Sequence, residues 1–313
     1  MRVMLAGATG ALGRSLLPML REAGHEVVGT TSTPDHLRWL ETAGAEPVLM
    51  DGLDAGSVRA AVVTARPDVV VHQLTALKGL ADLRRFDRAF ALTNRLRTEG
   101  TDLLLSAARD VGAKRFIAQS FTGWTNPRTG GPVKAETDGL DPHPTAASRR
   151  TLDAIRHLEE VVPAAEGMTG IVLRYGGFYG PGTGLGEGGD MLEMVRRRRL
   201  PVVGDGGGVW SLVHIKDAAR ATLQALDHGE PGVYNVVDDE PAPVAEWLPG
   251  LAAAVGAPPP RRLPVWLARL LVGEHGVSMM TQIRGSSNAK AKRELDWAPR
   301  YRSWREGFRT GLR

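Results

Sequence analysis

Seven residues near the start of the chain, Gly7-Ala8-Thr9-Gly10-Ala11-Leu12-Gly13, restrict its architecture more than any other segment. They follow the apolar run Val3 to Ala6 and open a stretch, Leu12 to Ala23, whose apolar residues recur at helical spacing. A second run of strand length, Glu26 to Thr30, comes next. Glycines so placed allow a tight turn, let the backbone approach a pyrophosphate, and let the helix lie close on the strand. The free amides of a helix N-terminus then favour an anion. A glycine triplet alone fits any tight turn, but strand, turn, helix and strand at this spacing predict a βαβ unit that binds a dinucleotide.

The pattern repeats. Further strand candidates lie at Glu46 to Met50, Val69 to His72, Arg115 to Gln119 and Gly170 to Arg174, with helix candidates at Pro34 to Thr42, Ser57 to Ala65, Phe86 to Val111 and Thr145 to Val162 between them. Such alternation predicts an α/β fold with a doubly wound parallel Rossmann sheet. After Arg174 the glycine-crowded stretch Gly176 to Gly189 reads as loop, and a late strand at Gly232 to Val237 rejoins the sheet. Residues 1–175, with the sheet completed by 205–237, form the expected dinucleotide domain. Residues 176–204 and 238–313 form a smaller, partly helical substrate lobe.

Composition narrows the function classes. The 39 basic and 35 acidic residues leave a formal charge of +4, too little to argue for nucleic acid, and the run Arg196 to Arg199 reads as a solvated helix end. No cysteine is present, which excludes disulfides, thiolate nucleophiles and cysteine-held metals and fits a reducing cytoplasm. The eight histidines form no metal-binding spacing, and Asp238-Asp239-Glu240 reads as a solvated turn, so no metal is expected. The N-terminal apolar stretch is too short for a signal peptide, and no segment has the apolar length of a membrane span. The expectation is a cytoplasmic protein with a small-molecule substrate.

The GxxGxxG spacing resembles that of the short-chain dehydrogenase/reductase superfamily, and later segments resemble its extended branch of NAD-dependent epimerases and dehydratases. They are Leu173-Arg174-Tyr175-Gly176-Gly177-Phe178-Tyr179-Gly180-Pro181-Gly182, similar to LRxxxxYGPG, and Val213-His214-Ile215-Lys216-Asp217-Ala218-Ala219, similar to VHVxDAA. Asn94 with Glu99-Gly100-Thr101 resembles the central-helix segment, where an Asn is mainly structural. The resemblance implies cofactor contacts from Gly7, Thr9, Gly10, Ala11, Leu12 and Gly13 at the turn. It implies others from Asp51, Gly52 and Leu53 at the adenine, from Gln73, Leu74 and Thr75 at the ribose, and from Gly176 beside the nicotinamide. It also makes a helix-paired homodimer an expectation. The second strand ends in Gly29-Thr30-Thr31-Ser32-Thr33, where an acidic residue would bind the ribose hydroxyls of NAD. Hydroxyls at Thr31 and Ser32 suit a 2′-phosphate, so NADP is preferred to NAD. Arg38 is the nearest arginine considered after that strand, as a phosphate contact or an exposed helix residue.

One family feature is missing. Extended members carry Tyr-x-x-x-Lys, a tyrosine acid/base whose pKa is lowered by the lysine and the cofactor charge. The matching stretch, Thr145 to Glu160, has neither residue, and alignment on Glu159 puts Thr151 and Ile155 at the two positions. The chain therefore resembles an atypical member. Ser120, Thr122 and Tyr175 are the catalytic candidates, lying after the fifth and sixth strands, with Phe121 where a plain alignment puts the family's hydroxyl. Tyr179, His72 and His214 read equally as packing residues, His143 and His157 flank the altered motif, and Trp124 and Trp210 could wall a cleft for a ring. Three readings remain open: an NAD(P)-dependent oxidoreductase or epimerase-like enzyme acting on a small carbonyl or hydroxyl compound, a non-catalytic dinucleotide sensor, and a non-redox isomerase or lyase.

Overall fold

In the computed structural model, which describes residues 1–77 and 82–313, seven strands form one parallel sheet. They are β1 (Arg2–Ala6), β2 (Glu26–Thr31), β3 (Glu46–Leu49), β4 (Val69–His72), β5 (Arg115–Phe121), β6 (Thr169–Tyr175) and β7 (Gly232–Val236). Their spatial order is β7-β6-β5-β4-β1-β2-β3. The order reverses at β1, which lies between β2 and β4, and a ligand crevice belongs at the carboxyl ends of the strands there. The doubly wound parallel sheet expected from the sequence is the one observed, and β7 pairs with β6 as the late rejoining strand.

Period-two alternation divides the strand residues between two buried faces. Val3, Leu5, Val71, Ile117 and Leu173 lie under α1 (Ala11–Glu22) and a late helix, Ile215–Gln224. Met4, Ala6, Val70, Phe116 and Val172 lie against α2 (Ala55–Ala65) and its neighbours on the other face. Those neighbours follow α3 (Ala91–Arg97) and are α4 (Glu99–Asp110) and α5 (Arg149–Val161). With both faces covered, the strands read as nearly continuous apolar runs. Ile215–Gln224 is α6.

The single helix expected over Phe86 to Val111 is broken. It forms Phe86–Ala89, then α3, then α4, with Thr98 at φ −98° and ψ −85° between the last two. The Thr98 hydroxyl donates back to the Asn94 carbonyl at 3.1 Å, a local bond that bends helices. The break lets Gly100 approach Gly52, where a Cβ would come within 3.1 Å of the Gly52 carbonyl oxygen.

Beyond β6, the short strands Gly177–Tyr179 and Leu212–His214 pair in parallel. Helices α7 (Val244–Ala254), α8 (Val265–Thr281) and α9 (Trp304–Thr310) follow. Tyr179, Leu192, Trp247, Trp304 and Phe308 share an apolar cluster of their own. Asp238-Asp239-Glu240 is not the solvated turn expected. Asp238 is buried, Asp239 accepts from Asn288, Lys292 and Arg302, and Glu240 accepts from Ser303 and Arg305. Burial holds the Asp238 carboxyl well above the usual carboxylate range. The acidic run thus ties the end of β7 to the C-terminal helices.

The central sheet carries one buried ion pair. Arg174 on β6 donates from Nε to Glu159 Oε1 at 2.7 Å and from Nη2 to Oε2, and Glu159 stands on α5. Both side chains are about 5% exposed, at 4% and 6%. Removing one partner strands the other charge, so Arg174→Leu is expected to destabilise the protein by about 3–5 kcal/mol. The double variant Glu159→Leu/Arg174→Leu should recover part of that loss. Urea denaturation of both variants checks the order.

Candidate active site

The glycine turn joins β1 to α1, and each glycine has its own geometry. A Cβ on Gly7, at φ +89°, would meet the Gln73 carbonyl oxygen at 2.8 Å, and one on Gly13 would meet the Ala8 carbonyl at 2.5 Å. These two are forced by the close approach of β4 and of α1 to the turn. Gly10 is different, since a Cβ there would have only the Gly7 carbonyl near it, at 3.4 Å. It caps α1 with extended backbone, no side chain bonds the first amides, and the first turn holds no acidic residue. The N-terminus of a twelve-residue helix therefore meets open space with unpaired N–H groups, which fits the pyrophosphate of a dinucleotide.

At the end of β2, Thr31 is buried and its hydroxyl caps the turn at Thr33, while Ser32 is exposed. Arg14, one residue past the glycine motif, is exposed on the first turn of α1. Its Nε donates to the Thr9 carbonyl at 2.9 Å and its guanidinium lies 4.3 Å from the centre of the Trp39 ring. Arg38, the arginine expected from the sequence, is not the one beside the glycine turn; Arg14 is. Position i+1 after the third glycine, on the exposed first turn of α1, was the available signal. Asp51 accepts from Leu53 N at 3.0 Å, and a Cβ on Gly52 would strike Leu74 at 2.6 Å. Asp51, Gly52, Leu53 and Leu74 thus form one packed turn beside the crevice, followed by Thr75. The Gln73 carboxamide is buried with neither polar atom bonded among the described residues.

Past β5 a tight slot of about 10 Å³, room for about one water, lies between Phe121, Thr122, Trp124, Trp210, Met279 and Ile283. The Thr122 hydroxyl donates to Asn126 Oδ1 at 3.2 Å and sits 2.6 Å from Ser286 Oγ, which also accepts from Asn126 Nδ2 at 2.8 Å. Ser211, at the slot's edge, accepts from Ser286 N at 2.8 Å. The Trp210 indole donates to the Met279 carbonyl at 2.8 Å, which fixes its ring as a wall. Met279 and Ile283 were not legible as site residues, because they arrive from a helix end more than 150 positions along the chain.

Two of the three catalytic candidates turn away from the slot. Ser120 points to the opposite face from Phe121 and donates to Glu159 Oε1 at 2.7 Å, joining the buried ion pair. Tyr175 is 1% exposed beneath the sheet, and its hydroxyl lies 2.7 Å from Thr222 Oγ1 on α6. Burial pushes that phenol far up, so it is no acid near neutral pH. Strand alternation is the reason for Ser120, whereas Tyr175, the register partner of Phe121, is kept from the slot by its packing against Thr222 and Phe178. Gly176 is demanded by packing, since a Cβ would lie 2.5 Å from the Ser211 carbonyl oxygen.

The positions aligned with tyrosine and lysine hold the fold. Thr151 donates to Asp87 Oδ1 at 2.7 Å and accepts from Asn94 at 3.0 Å, and both Thr151 and Ile155 are fully buried. Ile155 joins Phe86, Trp124, Leu152 and Ile283 in an apolar cluster behind the slot. His275, which sequence reasoning missed, stacks 4.2 Å from Phe86 and 5.4 Å from Trp124, with Nδ1 on Thr145 Oγ1 at 3.1 Å. Burial lowers its pKa to about 4, leaving a neutral ring.

The other titratable candidates serve as structure. His72 bonds Thr101 and the Leu74 amide, and burial brings it to about 4. His214 accepts from Lys216 N at 3.2 Å and reaches the Gly311 carbonyl at 2.8 Å, capping α6. Tyr179 is fully buried against His214 and Phe308, and His157 pairs with Asp102. Arg97, on α3, is 5% exposed with Nε and Nη1 unbonded among the described residues. Burial lowers it to about 10, against the pull of Glu159. Among the described residues no cluster of three metal-ligating side chains occurs, and no helix is long and apolar enough to cross a membrane.

A doubly wound sheet with this turn at its switch point defines an NAD(P)-dependent oxidoreductase of the short-chain dehydrogenase/reductase class. The chain belongs to the NAD dependent epimerase/dehydratase family, whose model matches residues 3–237. It is 44% identical over 311 residues to a 3-diazoavenalumate denitrifying reductase from a Streptomyces species, covering 98% of this chain and 99% of that one. It is 28% identical over 274 residues to a 2-alkyl-3-oxoalkanoate reductase from Stenotrophomonas maltophilia, covering 82% and 77%. The crystal structure of human epimerase family protein SDR39U1 with NADPH shares the fold at a TM-score of 0.76 and 21% identity, covering 100% of this chain and 99% of that one.

Two of the three buried histidines, His72 and His275, generate a strong pH dependence. In the folded protein His72 and His275 stay neutral down to about pH 4, whereas an unfolded histidine takes its proton near 6.5. The unfolded state binds more protons between those values, so stability falls as pH drops from about 6.5 toward 4. Each histidine adds a slope of about 1.4 kcal/mol per pH unit across that window. Urea melts at pH 4.5, 5.5 and 6.5 should show the slope reduced by about that amount in His275→Gln.

Proposed function

We propose that the protein is an NADPH-dependent reductase that delivers hydride to an electron-poor aromatic substrate without a proton-donating side chain, and that a diazo compound is the acceptor its slot suits best. The observation that carries this reading is the slot, whose wall residues include no titratable group and whose hydroxyls, Thr122 and Ser211, are already spent on Ser286. Reducing a carbonyl leaves an alkoxide that needs a proton, the task of the missing tyrosine. A diazotised ring makes no such demand. Hydride joins the ring carbon, the C–N bond breaks, and dinitrogen leaves with the bond's electron pair. The 44% identical relative bears the name of a reductase for a diazo compound. The carbonyl or hydroxyl substrate suggested by the sequence would find no acid here.

The residues divide the work. The open N-terminus of α1 above Gly10 holds the pyrophosphate, and Arg14 with Ser32 receives a ribose 2′-phosphate, which favours NADPH over NADH. NADPH bound there supplies the hydride. Half-exposed Trp210 offers its face to the aromatic ring at the mouth of the slot, Phe121 and Ile283 exclude water, and neutral His275 behind buried Trp124 keeps the wall uncharged.

Three measurements test this reading. With NADPH deuterated at C4 and an arenediazonium substrate, the arene product should carry deuterium at the vacated carbon, and one dinitrogen should appear per NADPH consumed. Label acquired from D2O instead would overturn the hydride route, and tight cofactor binding with no turnover of any acceptor would favour a sensor. Arg14→Ala is expected to weaken NADPH about 10- to 100-fold, the worth of a charge-assisted hydrogen bond, with NADH affinity little changed in a titration. Trp210→Ala should raise the substrate KM about tenfold or more and leave NADPH affinity alone.

A further inference from the structure

Beside the slot lies a larger open cavity of about 450 Å³, and the same two chain segments wall both. Phe121 to Trp124 face the slot and Pro127 to Thr129 the cavity; Met279 and Ile283 face the slot, and Thr281, Gln282 and Arg284 the cavity. Ile283 and Arg284 are chain neighbours, with Cα atoms about 3.8 Å apart. The two spaces therefore stand one residue's width from each other at this wall.

The cavity is unbalanced in charge. Arg128 is answered by Asp141, with Nε on Oδ2 at 3.0 Å, and its other nitrogens go to Gln282 Oε1 and the His143 carbonyl. Arg284 has no such answer. Its Nε is buried and unbonded, and its guanidinium pairs with no carboxylate among the described residues. Its backbone is held firmly, because Asn126 Nδ2 donates to the Arg284 carbonyl at 3.0 Å while Asn126 also binds the Thr122 hydroxyl at the slot. A half-buried cation on a rigid support, denied a protein acceptor, is arranged for an anion from outside, and a guanidinium matches a carboxylate with two parallel bonds.

We propose that Arg284 is a specificity residue that binds a carboxylate carried by the substrate, so that the enzyme takes aromatic acids, ring against half-exposed Trp210 at the mouth of the slot and carboxylate in the cavity. This rests on the reductase reading for the identity of the slot, and it names the substrate class that reading leaves open. Asp141 stays paired with Arg128 and so does not repel the incoming anion.

The test begins with binding, independent of any reaction. The protein loaded with NADP+ is titrated with 4-hydroxycinnamate and with its uncharged methyl ester, followed by calorimetry and tryptophan fluorescence. The acid should bind about 10- to 100-fold tighter than the ester. Arg284→Gln should bring the ratio close to one and Arg284→Lys should keep part of it, with NADPH affinity confirming that each variant is folded. Equal affinity for acid and ester in the unaltered protein, or an Arg284→Gln effect that weakens both alike, would overturn the proposal. The same pair of compounds bearing a diazonium group then tests turnover: an acid preference in binding with no reduction of either would uphold the carboxylate site and sink the proposed reaction.

Discussion

The bidentate contact between Arg174 and Glu159 sets the geometry on which the site depends. It joins β6 to α5 inside the sheet's covered face, and Ser120 of β5 adds a third bond to the same carboxylate. Two charges taken out of water are costly unless the geometry is good and the remaining polar atoms are satisfied; here both Glu159 oxygens are bonded, while Arg174 Nη1 is left without a partner among the described residues. Because α5 is held at Glu159, its Ile155 one turn away and Leu152 two turns away press against Phe86 and Trp124. The apolar backing of the slot follows from a polar contact buried one layer below it.

That arrangement explains why the family's acid–base chemistry has no foothold. Thr151 and Ile155 hold α5 to Asp87, Asn94 and the apolar cluster. Tyr175 anchors β6 to α6 through Thr222, and His214 caps α6. The polar groups at the mouth are bonded to one another through Ser286, so the C-terminal segment closes the site as a wall and contributes no proton. Tyr175, His72 and His214, which have the chemistry to move a proton, each have a structural partner. The slot that remains offers shape, dryness and aromatic faces, which is what a hydride transfer unaccompanied by protonation needs.

Reading the site from the sequence failed where strand parity and distant chain segments decided the outcome. Ser120 and Thr122 were candidates on equal terms, yet parity turns Ser120 to the face opposite Phe121, while Thr122 lies past the end of β5, where the chain leaves the sheet and lines the slot. Arg14 stood in plain sight beside Gly13, but its placement depends on the stacking of its guanidinium on Trp39, a contact between distant segments. His275, Met279, Ile283 and Arg284 carry no motif and reach the site only because α8 kinks at Gly273, φ +73°, and ends against the loop after β5. The break at Thr98 depends on a hydroxyl bonding backward to Asn94, a competition that helical periodicity does not reveal.

The sequence by itself determined the sheet, its parallel sense, the turn that receives the cofactor, and the absence of the tyrosine and lysine. Those features rest on short-range rules: apolar period, glycine where the backbone must approach closely, and residue identity within one motif. Only the tertiary structure decided which hydroxyls face the slot, which charges cancel and which one is left over. Partnership of that kind is set by contacts between residues such as Asn126 and Arg284, 158 positions apart, and local pattern holds no information about it.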